Sequence, residues 1–193
     1  MKRLSWTAVA FLLVGVSNVG LAQDSMHSTE AKHRNIGLGF HNVEAPVGLR
    51  WWFSGQKVGL DLGLGFSSSS AEDAGYPDEQ LSSWAVDVGV PFVAHSWTRA
   101  HVLLRPGILY ESDQVAATSP PVDFDTEDQT NLAVSLEIEG ELFLVDNFSV
   151  SASHGIAFNS FDPGFGADNQ TSFSTIGRNF TTVGFHMYFL GGE

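Results

Sequence analysis

Residues 132–142 read LAVSLEIEGEL and alternate between two kinds of side chain. One phase is mostly leucine, isoleucine and valine, and the other ends in Glu137, Glu139 and Glu141. A period of two is typical of a β-strand whose two faces meet different surroundings. The three carboxylates therefore share one face, with their Cβ atoms roughly 7 Å apart. The rest of the chain decides which face is the interior.

The same alternation recurs along the chain, whereas helical periodicity is hard to find. It predicts eight strands, at about 34–42, 46–54, 57–66, 81–93, 98–111, 130–144, 147–159 and 176–190. The first connection, near 42–44, is short. After it, tight turns near 54–56, 94–97 and 145–146 alternate with the long segments 67–80, 112–129 and 160–175. Short turns at one end and long loops at the other, around an even number of strands, are typical of an outer-membrane barrel.

The polar phase of the strands distinguishes a membrane barrel from a soluble one such as a lipocalin, which buries its apolar face. That phase is rich in Gly and Ser, whereas a water-facing surface would be dense in Lys, Glu and Thr. Small residues mixed with a few long charged ones suit a narrow lumen that has room only for side chains. We therefore predict an all-β fold, an eight-stranded antiparallel up-and-down transmembrane β-barrel with its apolar face outward.

Aromatic residues gather near both ends of the predicted strands, as they do at the two interfaces of a bilayer. Trp52, next to Trp51, is expected to join the group at the short-turn end. The girdle residues on which we base this prediction are Trp51, Phe53, Trp84, Phe92, Trp97, Tyr110 and Phe189.

The N-terminus has the form of a secretory signal peptide. Lys2 and Arg3 precede a short apolar core, and small residues lead to an expected cleavage after Ala22. An N-terminal membrane anchor is the alternative, although the apolar core is short for a bilayer span. We thus expect a signal peptide at 1–22, a flexible periplasmic tail at 23–33 and an outer-membrane barrel domain at 34–190.

The charge and the cysteine content of the chain bear on its partners and on how it is stabilised. Removing Lys2 and Arg3 leaves seven basic residues against 22 acidic ones, which speaks against a nucleic-acid partner. The chain has no cysteine, so it can form no disulfide. Hydrogen bonding and packing must hold the exported protein together.

The whole of 34–190 resembles the small outer-membrane barrels typified by outer membrane protein X and the transmembrane domain of outer membrane protein A. The resemblance implies a lumen plugged by ion pairs and an alternating aromatic C-terminal strand that the barrel-assembly machinery reads. The segment 183–189, VGFHMYF, fits that strand. The chain departs from the pattern in the four residues that follow Phe189, namely LGGE.

The lumen phase carries five carboxylates and two guanidinium groups, and isolated buried carboxylates are costly, so pairing is expected. Two guanidinium groups cannot neutralise five carboxylates. The remaining negative charge must be compensated by water near the mouths of the barrel, by proton uptake at a carboxyl group, or by His41, His101 and His186. A closed polar core is the first interpretation; a narrow cation-preferring pore and a proton or metal site are alternatives. The predicted ion-pair network comprises Arg50, Asp61, Asp87, Arg105, Glu137, Glu139 and Glu141.

The long loops are acidic and contain no Lys or Arg. Segment 123–128, DFDTED, has oxygen ligands that suit Ca²⁺ but lacks the spacing of a calcium loop. A solvated acidic surface, open to a surface ligand or to lipopolysaccharide bridged by divalent ions, is the simpler interpretation. We expect no cofactor and no resident metal.

These features predict a non-enzymatic integral protein of the bacterial outer membrane, structural or surface-interacting, whose partners are outer-membrane lipid, lipopolysaccharide and the barrel-assembly machinery. A small passive channel or porin-like carrier for small or hydrophobic solutes is the alternative. A lipid A-modifying enzyme is a third, in which His154 would act near Asn159 and Ser160. Ser151 and Ser153 fall on the opposite phase from His154, so a nucleophile and its base would point to different faces.

Overall fold

The computed structural model describes residues 34–40, 42–71, 79–116, 126–175 and 181–190. The predicted signal peptide and tail, at 1–33, lie outside the described residues, as do position 41, the centres of the long segments 67–80 and 112–129, and the stretches 176–180 and 191–193. Among the described residues, no helix is long and apolar enough to cross a membrane.

The described chain forms one antiparallel sheet that closes on itself. Each barrel strand pairs with its neighbours in sequence, and the last strand pairs with the first. The predicted all-β eight-stranded antiparallel barrel is therefore confirmed. The strands are β1 Arg34–Phe40, β2 Val47–Trp52, β3 Gly59–Ala71, β4 Glu79–Gly89, β5 Phe92–Ser96, β6 Ala100–Ala116, β7 Thr126–Val145, β8 Phe148–Asp162, β9 Gln170–Ser174 and β10 Thr181–Leu190.

Ten strands fill eight positions because two positions are each shared by two strands. The predicted strand 81–93 is interrupted at Val90 and Pro91, since proline has no N–H to donate to the ladder. The part of this strand after Pro91 is a separate strand, β5, which pairs with β6. The start of the predicted strand 176–190, at 176–180, lies outside the described residues. The described part, β10, pairs with 148–154 of β8, and β9, which lies within the predicted loop 160–175, pairs with 157–161.

The strands at the long-loop end extend further than the alternation predicts. β3 and β4 remain paired up to Ala71 and Glu79, and β6 and β7 up to Ala116 and Thr126. The predicted loops 67–80 and 112–129 thus begin as sheet. Their sequences, such as the four serines at 67–70, are polar on both faces, so a hydrophobic period could not reveal them.

The register sets the width of the lumen. A path of paired residues around the barrel returns to β8 ten residues from its start. With a rise of about 3.3 Å and a strand spacing of about 4.8 Å, eight strands then tilt by about 41° around a backbone diameter of about 16 Å. Side chains alone fill such an interior. The path runs through Phe158, Val134, Ile108, Val88, Leu62, Leu49, Leu38, Met187 and Phe148.

The short connection between β1 and β2 folds into the barrel. Ala45 is fully buried, and its N–H donates to Oδ1 of the buried Asn42 (2.6 Å). Two glycines of β3 make room for it: a Cβ at Gly63 would meet Ala45, and one at Gly65 would overlap the carbonyl of Glu44. The mouth on the long-loop side is thus filled from above by this connection.

Candidate functional site: the charged lumen

The structure brings the seven predicted lumen charges together inside the barrel. Register explains the meeting, because Arg50 lies opposite Asp61 on β3, and Arg105 lies opposite Glu137 on β7. The exposed fraction is at most 6% for every member of this cluster, which we name the ion-pair core: Arg50, Asp61, Asp87, Arg105, Glu137, Glu139 and Glu141.

Arg50 makes two bidentate contacts. Its Nε and Nη2 donate to the two carboxylate oxygens of Asp61 (2.8 and 2.9 Å), and its Nη1 and Nη2 donate to those of Glu139 (2.9 and 2.8 Å). Such fork-to-carboxylate pairs are the strongest ion pairs that side chains form. A guanidinium group suits this site because its planar donors can reach both acids at once.

Arg105 contacts three acids. Its Nε donates to Asp61 (2.8 Å), its Nη2 to Asp87 (2.5 Å) and its Nη1 to Glu137 (3.2 Å). Gly89 on the neighbouring strand leaves the space that this side chain occupies, because a Cβ there would overlap the guanidinium group. Two glycines of the lumen phase, Gly89 and Gly107, thus leave the space that the guanidinium group of Arg105 occupies.

Asp61 links the two arginines. Its Oδ1 accepts from Arg50, and its Oδ2 accepts from both Arg50 and Arg105. The network is thus continuous across the lumen from β2 to β8. Hydroxyl groups complete it at one edge, where Ser135 and Ser153 donate to Glu137 (3.1 and 2.9 Å).

Two apolar layers enclose the ion-pair core. On the long-loop side, Ala45 from the β1–β2 connection packs in a buried cluster with residues of β4, β6 and β7, namely Ala85, Leu109 and Ala133. On the short-turn side, a second buried cluster contains Trp52, Leu103, Phe143 and Tyr188. In the described barrel, the ion-pair core thus lies between two buried apolar clusters.

Glu141 connects the ion-pair core to the apolar cluster on the short-turn side through hydrogen bonds. Its Oε1 accepts from the hydroxyls of Tyr188 (2.6 Å) and Ser149 (2.7 Å), and Tyr188 in turn accepts from Nε1 of Trp52 (3.4 Å). Trp52 therefore lies in the lumen, and the prediction that places it in the girdle is wrong. It occupies the polar phase of β2, opposite to Trp51, so the period of two was a sufficient signal.

The outer wall is the inverse of the lumen. Trp51, Phe53, Trp84, Trp97 and Phe189 of the predicted girdle are exposed, whereas Phe92 and Tyr110 are half-buried against neighbouring side chains. Between the two ends the wall is mostly aliphatic, as at Ile138, which is 64% exposed; the exposed His154 lies opposite Ile138 on β8. Large apolar residues face outward and the charges of the same strands face inward.

Other candidate residues lie outside this cluster. His101 faces the lumen beside Glu141, and His186 is buried near Tyr188. His41 and the first half of the proposed calcium segment, 123–125, lie outside the described residues. Glu127 of that segment accepts from the backbone N–H of Phe165 instead. In the described ranges, no three His, Cys, Asp or Glu side chains are placed to hold a metal ion.

His154 lies on the outer face of β8, exposed, at the level of Ile138. Ser153, its neighbour in sequence, points into the lumen, where its hydroxyl contacts Glu137 and Thr182. The base and the nearest serine on β8 therefore face opposite sides of the wall, as the alternation predicts.

Comparisons with known proteins add little to this geometry. No family model matches the chain, and a search of curated proteins gives no match. A search of solved structures gives a major outer membrane protein from Thermus thermophilus, with 16% sequence identity and a TM-score of 0.44, over 80% of this chain and 97% of that chain. A likeness this distant carries no functional information. The fold rests on the strand pairing of the chain itself.

Removing one arginine should destabilise the barrel strongly. We expect Arg50→Met to lower the free energy of unfolding by about 3–5 kcal/mol, because it leaves Glu139 and one side of Asp61 buried without their cation. Urea unfolding followed by tryptophan fluorescence measures this. The matched control is Arg99→Met, an exposed arginine at the short-turn end, which we expect to change stability by less than about 0.5 kcal/mol.

The double variant Arg50→Met with Glu139→Met should recover part of that loss, since it removes both charges together. An Arg50→Met variant as stable as the Arg99→Met control would contradict the ion-pair core.

Proposed function

We propose that the chain is a non-enzymatic integral protein of the bacterial outer membrane, structural or surface-interacting, with a lumen closed by the ion-pair core. The observation that supports the proposal is the inversion of the barrel. Arg50, Glu139 and Glu141 are almost completely buried, whereas Phe66, Val183 and Ile138 on the outer wall are each more than 60% exposed.

A bilayer is the environment that this surface fits. A soluble protein rarely exposes a continuous apolar patch of more than a few hundred Å². On β8 the outward residues from Phe148 to Phe158 span ten positions, or about 25 Å along the barrel axis at a tilt of about 41°. That height is close to the apolar band of outer-membrane barrels. A closed barrel also leaves no unpaired strand edge in lipid.

The extended hairpins above this band supply the surface for outer partners. The β3–β4 and β6–β7 pairs continue beyond the aromatic residues with serine and acidic side chains, such as Ser69, Asp113 and Asp128, which are exposed. Such a surface suits water, lipopolysaccharide headgroups bridged by divalent ions, or a surface ligand. Export would follow from the signal-peptide pattern at 1–22, and insertion would require the barrel-assembly machinery.

An arginine on the outer wall distinguishes lipid from water. We expect Ile138→Arg to lower the free energy of unfolding from lipid vesicles by about 2–4 kcal/mol, because the substitution places a charge near the middle of the apolar band. The matched control is Ser69→Arg, on the exposed polar extension of β3, which should be nearly neutral. Equal effects of the two substitutions would contradict a membrane location for this wall.

The second candidate function is a small passive channel. The excess of acids over arginines in the lumen favours this alternative, because uncompensated carboxylates attract cations. Against it, the ion-pair core lies between two packed apolar layers, and its arginines contact every acid of the core. A pore would therefore require several buried contacts to break at once.

Conductance in planar bilayers tests the closed lumen. We expect no steady current from the wild-type protein, and we expect short openings to appear in a Glu137→Gln, Glu139→Gln variant, because the substitutions weaken the contacts to both arginines. A heat-induced shift in gel mobility on the same samples confirms that the barrel is folded. A sizeable steady channel that is the same in both proteins would favour the passive-channel function instead.

A further inference from the structure

At the short-turn end of the lumen, a carboxylate oxygen and an imidazole nitrogen face each other without a hydrogen bond. Oε2 of Glu141 and Nδ1 of His101 lie 3.7 Å apart, which is longer than a hydrogen bond. Both atoms are buried, and neither has a hydrogen-bond partner in the described structure. A buried polar atom without a partner costs free energy, so the pair requires something that satisfies both atoms.

The direction of the Glu141 oxygen is fixed by its other contacts. Oε1 accepts from Ser149 on β8 and from Tyr188 on β10, which holds the carboxylate between two neighbouring strands. Oε2 then points toward β6, where His101 lies directly opposite Glu141 in the register. The ring of His101 is held in turn against Phe143, with the centroids 5.1 Å apart.

The charges around this pair are unequal. Arg50 reaches Glu141 only at 3.7 Å, on Oε1, and makes its short contacts with Asp61 and Glu139. In the described structure, two guanidinium groups face five carboxylates. Four titratable or charged groups are packed around the pair: Arg50 from β2, Glu139 from β7, and His186 and Tyr188 from β10. On the other side of β6, the neighbouring strand β5 places Ser96 opposite His101.

We infer that the lumen binds one proton as a third counter-charge, held between Nδ1 of His101 and Oε2 of Glu141. The protonated imidazole donates from Nδ1, a small rotation of either side chain closes the remaining distance, and both unsatisfied atoms gain a partner. The site requires only the closed lumen, and it is independent of the proposed membrane location.

The proton site makes the packing of the apolar cluster on the short-turn side depend on pH. Glu141 holds Tyr188, and Tyr188 holds Trp52, so the aromatic layer depends on the position of one carboxylate. Histidine is the side chain that ordinarily changes its charge between pH 5 and pH 8. In the folded barrel the carboxylate of Glu141 faces His101, whereas in the unfolded chain it does not. We therefore expect the folded barrel to hold the proton more tightly than the unfolded chain, so that stability falls as the pH rises.

Two substitutions at the pair should remove this pH dependence. We expect the equilibrium constant for unfolding of the wild-type full chain in detergent micelles to rise about tenfold or more from pH 5 to pH 8. In Glu141→Gln the amide can donate to neutral His101 while its oxygen still accepts from Ser149 and Tyr188, so the rise should disappear. His101→Gln should remove it as well, because the variant cannot take up the proton.

The matched control is His95→Gln, since His95 lies at the same end of the barrel but outside the lumen, with its ring against Trp97. This control should keep the full wild-type dependence. A wild-type protein equally stable at both pH values, or a Glu141→Gln variant with the whole dependence, would overturn the proton site.

Nitrogen-15 spectroscopy of the wild-type protein tests the site even where a variant does not fold. At pH 5 we expect a slowly exchanging proton on Nδ1 of His101, with the chemical shift of a hydrogen-bonded imidazolium. A rapidly exchanging Nδ1 proton, like that of an exposed histidine, would overturn the inference.

Discussion

Asp61 accepts hydrogen bonds from both arginines of the lumen, and the interior of the barrel is organised around that bridge. A backbone diameter of about 16 Å leaves no room for a water-filled centre, so every long charged side chain must find its partners among the others. Glycines on the adjacent strands supply the space, as Gly89 does for Arg105. The cost of burying ions is offset only because the contacts are bidentate and shared.

The apolar outer wall of the barrel is a consequence of the charged interior. Since charges occupy the middle of the interior, the large apolar residues of each strand lie on the outside, where the period of two places them. Small apolar layers above and below the ion-pair core complete the filling, one built from the inward β1–β2 connection and the other from aromatic residues of β2, β7 and β10. An interior of this kind needs an apolar solvent outside, and this is the physical basis of the proposed membrane location.

Much of this arrangement can be predicted from the sequence. The alternation in 132–142 is enough to place Glu137 and Leu136 on opposite faces, and the scarcity of bulk on the polar phase is enough to place Glu137 inside. The specific partners require the register, which depends on pairings between distant strands: Arg50 and Glu139 are 89 positions apart. The same holds for Ala45, a small residue in a turn that carries no sequence signal of burial.

Other errors have local causes. Pro91 divides a strand whose hydrophobic pattern is continuous. The wrong prediction for Trp52 follows from its residue type, whereas its phase along β2 predicts the lumen. The hairpin extensions leave no hydrophobic alternation because most of their side chains are polar on both faces. The sequence predicts that acids outnumber arginines in the lumen. It does not predict which acid lacks a close arginine, because that depends on the register of β6 and β7, which places Glu141 opposite His101.

The central claim is that the leucine and isoleucine face of β7 contacts lipid. Because the chain has no native cysteine, single spin labels can be placed at Leu136, Ile138 and Leu142 without removing other thiols. In vesicles, the account predicts that all three labels collide freely with molecular oxygen and are protected from a water-soluble nickel complex. Labels that the nickel complex reaches and oxygen does not would contradict it.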